Sequence, residues 1–229
     1  MPAPSKVQSE SESNGPMKIT SVKAVYPKWR GIPKGPWQYH FWQILVRVET
    51  DTGHTGYGYG GGGLPGVEIV NSHIRELVDG ARLDTVEDIK AIWDKMYFGT
   101  LPYGRGGIPM MALSGVDLAL WDALGVARGK PVYDLLGGAR KNKVRAYANT
   151  ENYPQARDLG YNAIKFKCGK TRSDRDYDIT LKAAKEAHAA IGPSGTLMTD
   201  CYLSWDAANE KLANPLIGSV CVNRPISGS

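Results

Sequence analysis

Along 44–49 the side chains alternate, Ile44, Val46 and Val48 against Leu45, Arg47 and Glu49. That period of two buries one face of a strand and leaves the other in water. Asp51-Thr52-Gly53 supplies a turn and 54–59 returns as a second strand, which predicts an antiparallel hairpin. Upstream, 17–26 has strand character that Pro27 stops, and 29–37 is a Pro- and Gly-rich loop. The period then changes to that of a helix. Val67, Val70, Ile74, Leu77 and Val78 make one stripe. Thr85-x-x-Asp88 reads as a capping box that opens a second helix, with Ile89, Ile92, Trp93, Met96 and Tyr97 along it. After a glycine-rich loop at 99–109, a third helix over 110–126 places Ala112, Val116, Ala119, Leu120 and Ala123 inward. Gly129-Lys130-Pro131 interrupts it, and a short helical turn at 132–136 ends at Gly137. Strands followed by helices predict an α+β domain.

Beyond residue 140 the pattern changes again. A strand at 144–149, a short connection including 156–159, a strand at 163–168, a helix at 179–190 and a strand at 196–202 read as parallel βα units. Leu181, Ala184 and Ala187 form the expected buried stripe of the helix, which Gly192-Pro193 stops. A further helix is expected over 207–216. The segment after it has no helical stripe, no closing strand and no cap.

The 229 residues are 42% hydrophobic and 22% charged, enough for a core in one large or two modest domains. The net charge of +5 is spread without runs, so no nucleic-acid footprint is expected. No apolar stretch approaches about 20 residues, so no membrane span is expected either. Cys168, Cys201 and Cys221 are too few for a disulfide framework, which favours a reducing, cytoplasmic setting. Residues 1–16 are rich in Ser, Glu, Pro and Gly and read as a disordered tail, with Met17 as an alternative start.

Chemistry gathers on the second strand of the βα region. Lys165 and Lys167 share a face with Ala163, while Ile164 and Phe166 take the other. Two ammonium groups on one face of a core strand mean that the face is wet or is a site. Asp200 ends the next strand on the face of Met198, and ligands of parallel sheets collect at such strand ends. Paired lysines are expected to depress each other's pKa, making an amine usable as a base near neutral pH. A strand-end carboxylate suits a hard cation such as Mg2+. The plain readings stand beside these: a K-x-K is most often an exposed edge, and such an Asp a turn or a cap. Gly58-Tyr59-Gly60-Gly61-Gly62-Gly63 satisfies G-x-G-x-x-G with Asp79 downstream. Its strand belongs to a hairpin and its helix leads to another helix, so a loop beside a ligand site or a plain turn fits better than a dinucleotide site. His40, His54, His73 and His188 show no metal spacing, and Cys168 and Cys201 read as structural thiols. On spacing alone, this is an α/β protein with a candidate site at strand ends.

The segment 112–137, Ala-Leu-Ser-Gly-Val-Asp-Leu-Ala-Leu-Trp-Asp-Ala-Leu-Gly-Val-Ala-Arg-Gly-Lys-Pro-Val-Tyr-Asp-Leu-Leu-Gly, resembles the signature ending the capping domain of the mandelate racemase/muconate lactonizing enzyme family, a branch of the enolase superfamily. Ala112, Ser114, Asp117, Ala119, Asp122, Gly125, Pro131, Leu135, Leu136 and Gly137 fall into place, and Val126 departs from the usual basic residue or Gln. The resemblance implies an α+β capping domain at 17–138 followed by an incomplete α/β (TIM-type) barrel, its first three βα units at 139–216 and an aberrant tail at 217–229. It implies Lys167 as base, Lys165 beside it, and Asp200 as first ligand of Mg2+. The short connection after Tyr147, the run Tyr103-Gly-Arg-Gly-Gly-Ile and Asp200-Cys-Tyr-Leu-Ser look most like acid-sugar dehydratases of the rhamnonate dehydratase type.

The implied reaction is a Mg2+-dependent loss of water from a small sugar acid. Lys167 would remove the proton α to the carboxylate, an enediolate would form, and the 3-hydroxyl would leave to give a 2-keto-3-deoxy acid. Trp29, Arg30, Lys34 and Tyr59, in the stretches 29–37 and 58–64, are the candidate substrate contacts. A racemase or epimerase of the same superfamily, or a non-catalytic partner of full-length subunits, is the alternative. At full length a homo-oligomer is implied. The family's further acidic ligands and its His–Asp pair have no match here. About 90 residues follow Gly138, whereas a full barrel domain takes about 200 to 250. An inactive, C-terminally truncated chain of poor stability is therefore expected. Val220-Cys221 is what an in-frame read of a splice donor would encode, which points to a gene-model error after about residue 217.

Overall fold

A computed structural model describes residues 16–27, 43–167, 174–200 and 220–221. The chain divides into two compact units, 1–140 and 141–229.

In the first unit β1 (Ile19–Val25), β2 (Ile44–Thr50) and β3 (Thr55–Gly60) form an antiparallel sheet in that order. The alternation at 44–49 holds: Ile44, Val46 and Val48 are buried, and Leu45 and Arg47 are exposed. A register shift between Ile19 and Ser21 in β1 lets both Ile19 and Val22 face inward despite their odd spacing. The sheet packs on α4 (Ile108–Arg128), whose predicted stripe is fully buried. This helix is 21 residues long with a hydropathy of 1.4, long and apolar enough to cross a membrane by those measures, contrary to the sequence expectation. Its inward side is buried against β2 and β3, the packing of a core helix.

The stretch read as a loop or plain turn at 58–64 is neither. Gly58 and Gly60 lie in β3, and Gly62, at φ 94°, caps α1 (Gly63–Glu68). A Cβ on Gly58 would lie 2.6 Å from the Ala119 nitrogen and closer still to the Gly115 carbonyl oxygen of α4. A Cβ on Gly115 would lie 3.0 Å from the Gly60 Cα. The glycines therefore serve close approach of strand to helix.

The helix expected over 67–78 begins earlier and is not uniform. A π-helical stretch, Ile69–Ile74, separates α1 from α2 (Arg75–Val78). It carries Asn71, whose Oδ1 accepts from the Ala24 N–H at 2.7 Å and whose Nδ2 donates to the Ala24 carbonyl at 3.0 Å. Asn71 thus does for edge strand β1 what a neighbouring strand would do. Val70, Ile74 and Val78 are buried, and Val67 and Leu77 half-buried.

The capping box forms as read at the start of α3 (Val86–Thr100). Asp88 accepts from the N–H groups of Asp84 (2.8 Å) and Thr85 (2.9 Å), and its own N–H donates to the Thr85 hydroxyl at 3.2 Å. Slight burial raises the Asp88 pKa, but these bonds and the Arg82 charge outweigh it and leave the carboxyl below its usual range. Ile89, Ile92 and Met96 are buried, whereas Trp93 and Tyr97 are half-buried and stack with centroids 5.0 Å apart. A 3-10 turn at Leu101–Tyr103 shortens the loop expected at 99–109, and α5 (Val132–Leu135) follows α4.

In the second unit β4 (Ala148–Asn149), β5 (Ala163–Lys167), β6 (Thr196–Asp200) and β7 (Val220–Cys221) form a parallel sheet in that order. The expected α+β domain before parallel βα units is thus observed, and the barrel portion is an open four-stranded sheet among the described residues. Helices α6 (Tyr153–Asp158) and α7 (Asp174–Ile191) cover one face, where Tyr153, Ala156, Ala184 and Ala187 pack with Ile164, Phe166 and Leu197.

Four expectations need correction. Only the last two residues of the strand expected at 144–149 pair, and Val144 is exposed. The connection before β5 holds a helix, α6, which Asn152 caps by accepting from the Gln155 N–H. On α7, Ala184 and Ala187 are buried as expected, but Leu181 is only half-buried and Thr180 takes the inward position in the turn before them. The tail contributes a strand after all, with Val220 opposite Thr199 and Cys221 opposite Asp200. The helix expected at 207–216 lies outside the described residues.

Candidate active site

Strand alternation and parallel pairing build the site. Ile164 and Phe166 turn into the helix-covered core, so Lys165 and Lys167 take the opposite face. Register sets Lys165 beside Asn149 of β4 and Met198 of β6, and Lys167 beside Asp200. Residues level in adjacent parallel strands point the same way, so both lysines and Asp200 share one face at the carboxyl ends.

The lysines differ. Lys165 is half-buried and its Nζ donates to Asp200 Oδ2 at 3.4 Å, which makes an ion pair. The same Nζ stands 5.7 Å from the centre of the Tyr147 ring, within cation–π range. Lys167 is exposed and makes no ion pair among the described residues. The expected mutual depression of the two amines is not what Lys165 undergoes. Burial pulls its pKa down, but the hydrogen bond with Asp200, the Tyr147 group and the Asp200 charge raise it above the ordinary lysine value overall. The contact with Asp200 therefore favours the charged form of Lys165.

A cavity of about 290 Å3 lies over this rim, lined by Asn149, Thr150, Glu151, Lys165, Phe166 and Lys167. The residues after β4 were missed in the sequence. The strand read at 144–149 does end at Asn149, and the strand-end rule that picked out Asp200, applied there as well, would have found them. Trp29, Arg30 and Lys34 lie outside the described residues. Tyr59 lies in the first unit, exposed on the outer face of β3 opposite Leu45. His54 is hydrogen-bonded to Thr52 and His73 to Tyr103.

Asp200 is one hard oxygen donor toward a Mg2+ ion. Among the described residues no three His, Cys, Asp or Glu side chains converge. Magnesium demands near-octahedral oxygen coordination, which one carboxylate does not supply. The described residues do not by themselves fit the ion.

Residues 40–137 match the N-terminal domain of the mandelate racemase/muconate lactonizing enzyme family. An L-rhamnonate dehydratase of Saccharopolyspora erythraea is 33% identical over 190 residues, 82% of this chain and 48% of that protein. A Caldivirga maquilingensis protein provisionally named L-rhamnonate dehydratase is 36% identical over 191 residues, 82% of this chain and 47% of its own. The chain spans about half the length of these curated relatives. The crystal structure of L-rhamnonate dehydratase from Gibberella zeae superposes with a TM-score of 0.77 at 25% identity, covering 93% of this chain and 60% of that one. A second structure of the Gibberella zeae enzyme, complexed with Mg, shares the fold at a TM-score of 0.76 and 24% identity, over 90% of this chain and 58% of that one. By residues 40–137 the chain carries the N-terminal domain of the mandelate racemase/muconate lactonizing enzyme family, and its similarity to these relatives in sequence and fold agrees with that.

Proposed function

We propose that this chain carries the base-bearing part of an acid-sugar dehydratase, acting on a small polyhydroxylated carboxylate such as L-rhamnonate. The observation that carries the reading is the division of labour between two lysines on one rim. Lys165 is held as an ammonium by Asp200 at 3.4 Å, and Lys167 is left without an ion pair among the described residues.

In this reading Lys167 Nζ, as the free amine, takes the proton from the carbon next to the carboxylate. The C–H electrons move toward the carboxyl group and an enediolate forms. Its charge develops beside the Lys165 ammonium, which Asp200 keeps charged and oriented. The electrons then form the C2–C3 double bond as the C3–O bond breaks. The hydroxide leaves with a proton as water, and the enol becomes a 2-keto-3-deoxy acid. The proton held on Lys167 closes the balance. Asp200 is the hard oxygen donor this chain would offer toward a Mg2+ ion such as that in the complexed Gibberella zeae structure.

The test is incubation of the chain with six-carbon sugar acids and Mg2+ in D2O, with NMR for exchange at C2 and a carbonyl assay for product. Lys167→Met is expected to lower exchange by about 10²-fold or more. Undiminished exchange in that variant, or none in the unaltered chain, refutes the proposal. Exchange without loss of water favours a racemase or epimerase.

A further inference from the structure

We infer that Asn149, Thr150 and Glu151, at the end of β4, form a hydroxyl-recognition wall that selects polyhydroxylated acids over simple 2-hydroxy acids. The inference rests on the proposed function above, in which Lys165 faces the carboxylate and Lys167 the C2 proton. Register places Asn149 level with Lys165 across β4 and β5. Two residues further along each segment come Glu151 and Lys167, and all four line the one 290 Å3 cavity together with Thr150. This wall and the lysines therefore face a common occupant.

Their polar groups are largely uncommitted. Among the described residues no hydrogen bond or ion pair engages the Asn149 amide or the Glu151 carboxylate. Glu151 and the lysines line the same cavity without closing to ion-pair distance, which keeps the space between them open. The Thr150 oxygen accepts from the Asn152 N–H at 2.9 Å, which fixes the hydroxyl while leaving its hydrogen to donate. The Lys165 ammonium only donates, so it satisfies a carboxylate but cannot accept from substrate hydroxyls, and Lys167 is committed to the C2 proton. A carboxylate, an amide and a hydroxyl supply both acceptors and donors, the set that vicinal hydroxyls need. A simple 2-hydroxy acid engages the lysines and leaves most of the wall unused.

The test is calorimetric or ligand-observed NMR titration of the 229-residue chain with L-rhamnonate and with L-lactate. The proteins compared are the unaltered chain, Asn149→Ala, Glu151→Ala and Lys165→Met, each checked for folding by circular dichroism. L-Rhamnonate is expected to bind at least about tenfold tighter than L-lactate, since each charge-assisted hydrogen bond lost costs about that factor. Asn149→Ala and Glu151→Ala are expected to narrow the preference several-fold with lactate binding unchanged. A chain with no preference, or one whose preference survives both substitutions, overturns the wall. If Lys165→Met weakens both acids alike while the preference survives the wall substitutions, the wall is wrong and the lysine reading stands. If both acids bind Lys165→Met as tightly as the unaltered chain, the lysine reading falls and the wall with it.

Discussion

Gly58→Ala separates two accounts of the glycine-rich stretch. By backbone propensity alone, a glycine inside a strand is a weak point, and Ala in its place should gain about 0.5 to 1 kcal/mol. The structure demands the opposite sign. The added Cβ would lie 2.6 Å from the Ala119 nitrogen and 2.9 Å from the Leu118 Cβ, with the Gly115 carbonyl oxygen closer still. These are mainly backbone atoms of a 21-residue helix whose inner stripe is buried, so they do not swing aside as a side-chain tip would. Overpacking of this kind costs about 1 to 3 kcal/mol, and we expect a net loss of about 2 kcal/mol. Gly53→Ala is the control: at φ 81° with nothing within 4 Å, it should lose only the left-handed backbone cost, about 1 kcal/mol. Because the chain has two units, a global melting curve mixes them. Urea-dependent hydrogen exchange, read on peptides from β3 and α4, isolates the first unit. Wild-type or greater protection in Gly58→Ala would refute the close strand–helix packing.

Four further outcomes follow from the side-chain partners. Thr85→Ala should cost about 1 kcal/mol of first-unit stability by loss of the capping box. Asp88 sits below its usual pKa, so its contribution is complete above about pH 4 and lost as pH falls through its lower folded value; Asp88→Asn should flatten that acid limb in urea titrations. Lys165 sits above its usual pKa, so its contribution is complete below about pH 10 and lost as pH rises through the folded value. Asp200→Asn should weaken this alkaline limb at a cost of about 1 kcal/mol for a half-buried pair, and an unchanged limb would show that another group causes it. Among the described residues Thr199 Oγ1 is buried without a hydrogen-bond partner, so Thr199→Val should gain about 1 kcal/mol in exchange protection of β6; a loss of that size would reveal a partner.

The pleat of β5 links the fold of the second unit to its candidate chemistry. Ile164 and Phe166 hold the strand against α7, and that anchoring fixes which way Lys165 and Lys167 point. A residue inserted before Ile164 would exchange the faces, burying the ammonium groups and exposing Phe166. Fold and candidate chemistry are thus set by the same alternation.

What the sequence determined was governed by near neighbours. The alternation of Ile44, Val46 and Val48, the Thr85–Asp88 box, the stripe of α4 and the shared face of Lys165 and Lys167 all follow from periods of two or 3.6 and from local hydrogen bonding. What the tertiary structure decided involved partners distant along the chain. Lys165 looked like one of two mutually repelling amines until Asp200, 35 residues away, turned out to hold its charge. Gly58 read as part of a loop beside a ligand site or a plain turn until α4 was seen against it, and nothing local marked Asn71 as the partner of Ala24. Val220 and Cys221 carry no local signal for a strand, and only the open edge of β6 gives them one. Charge pairing and close packing depend on which distant segments meet, and local periodicity does not carry that information.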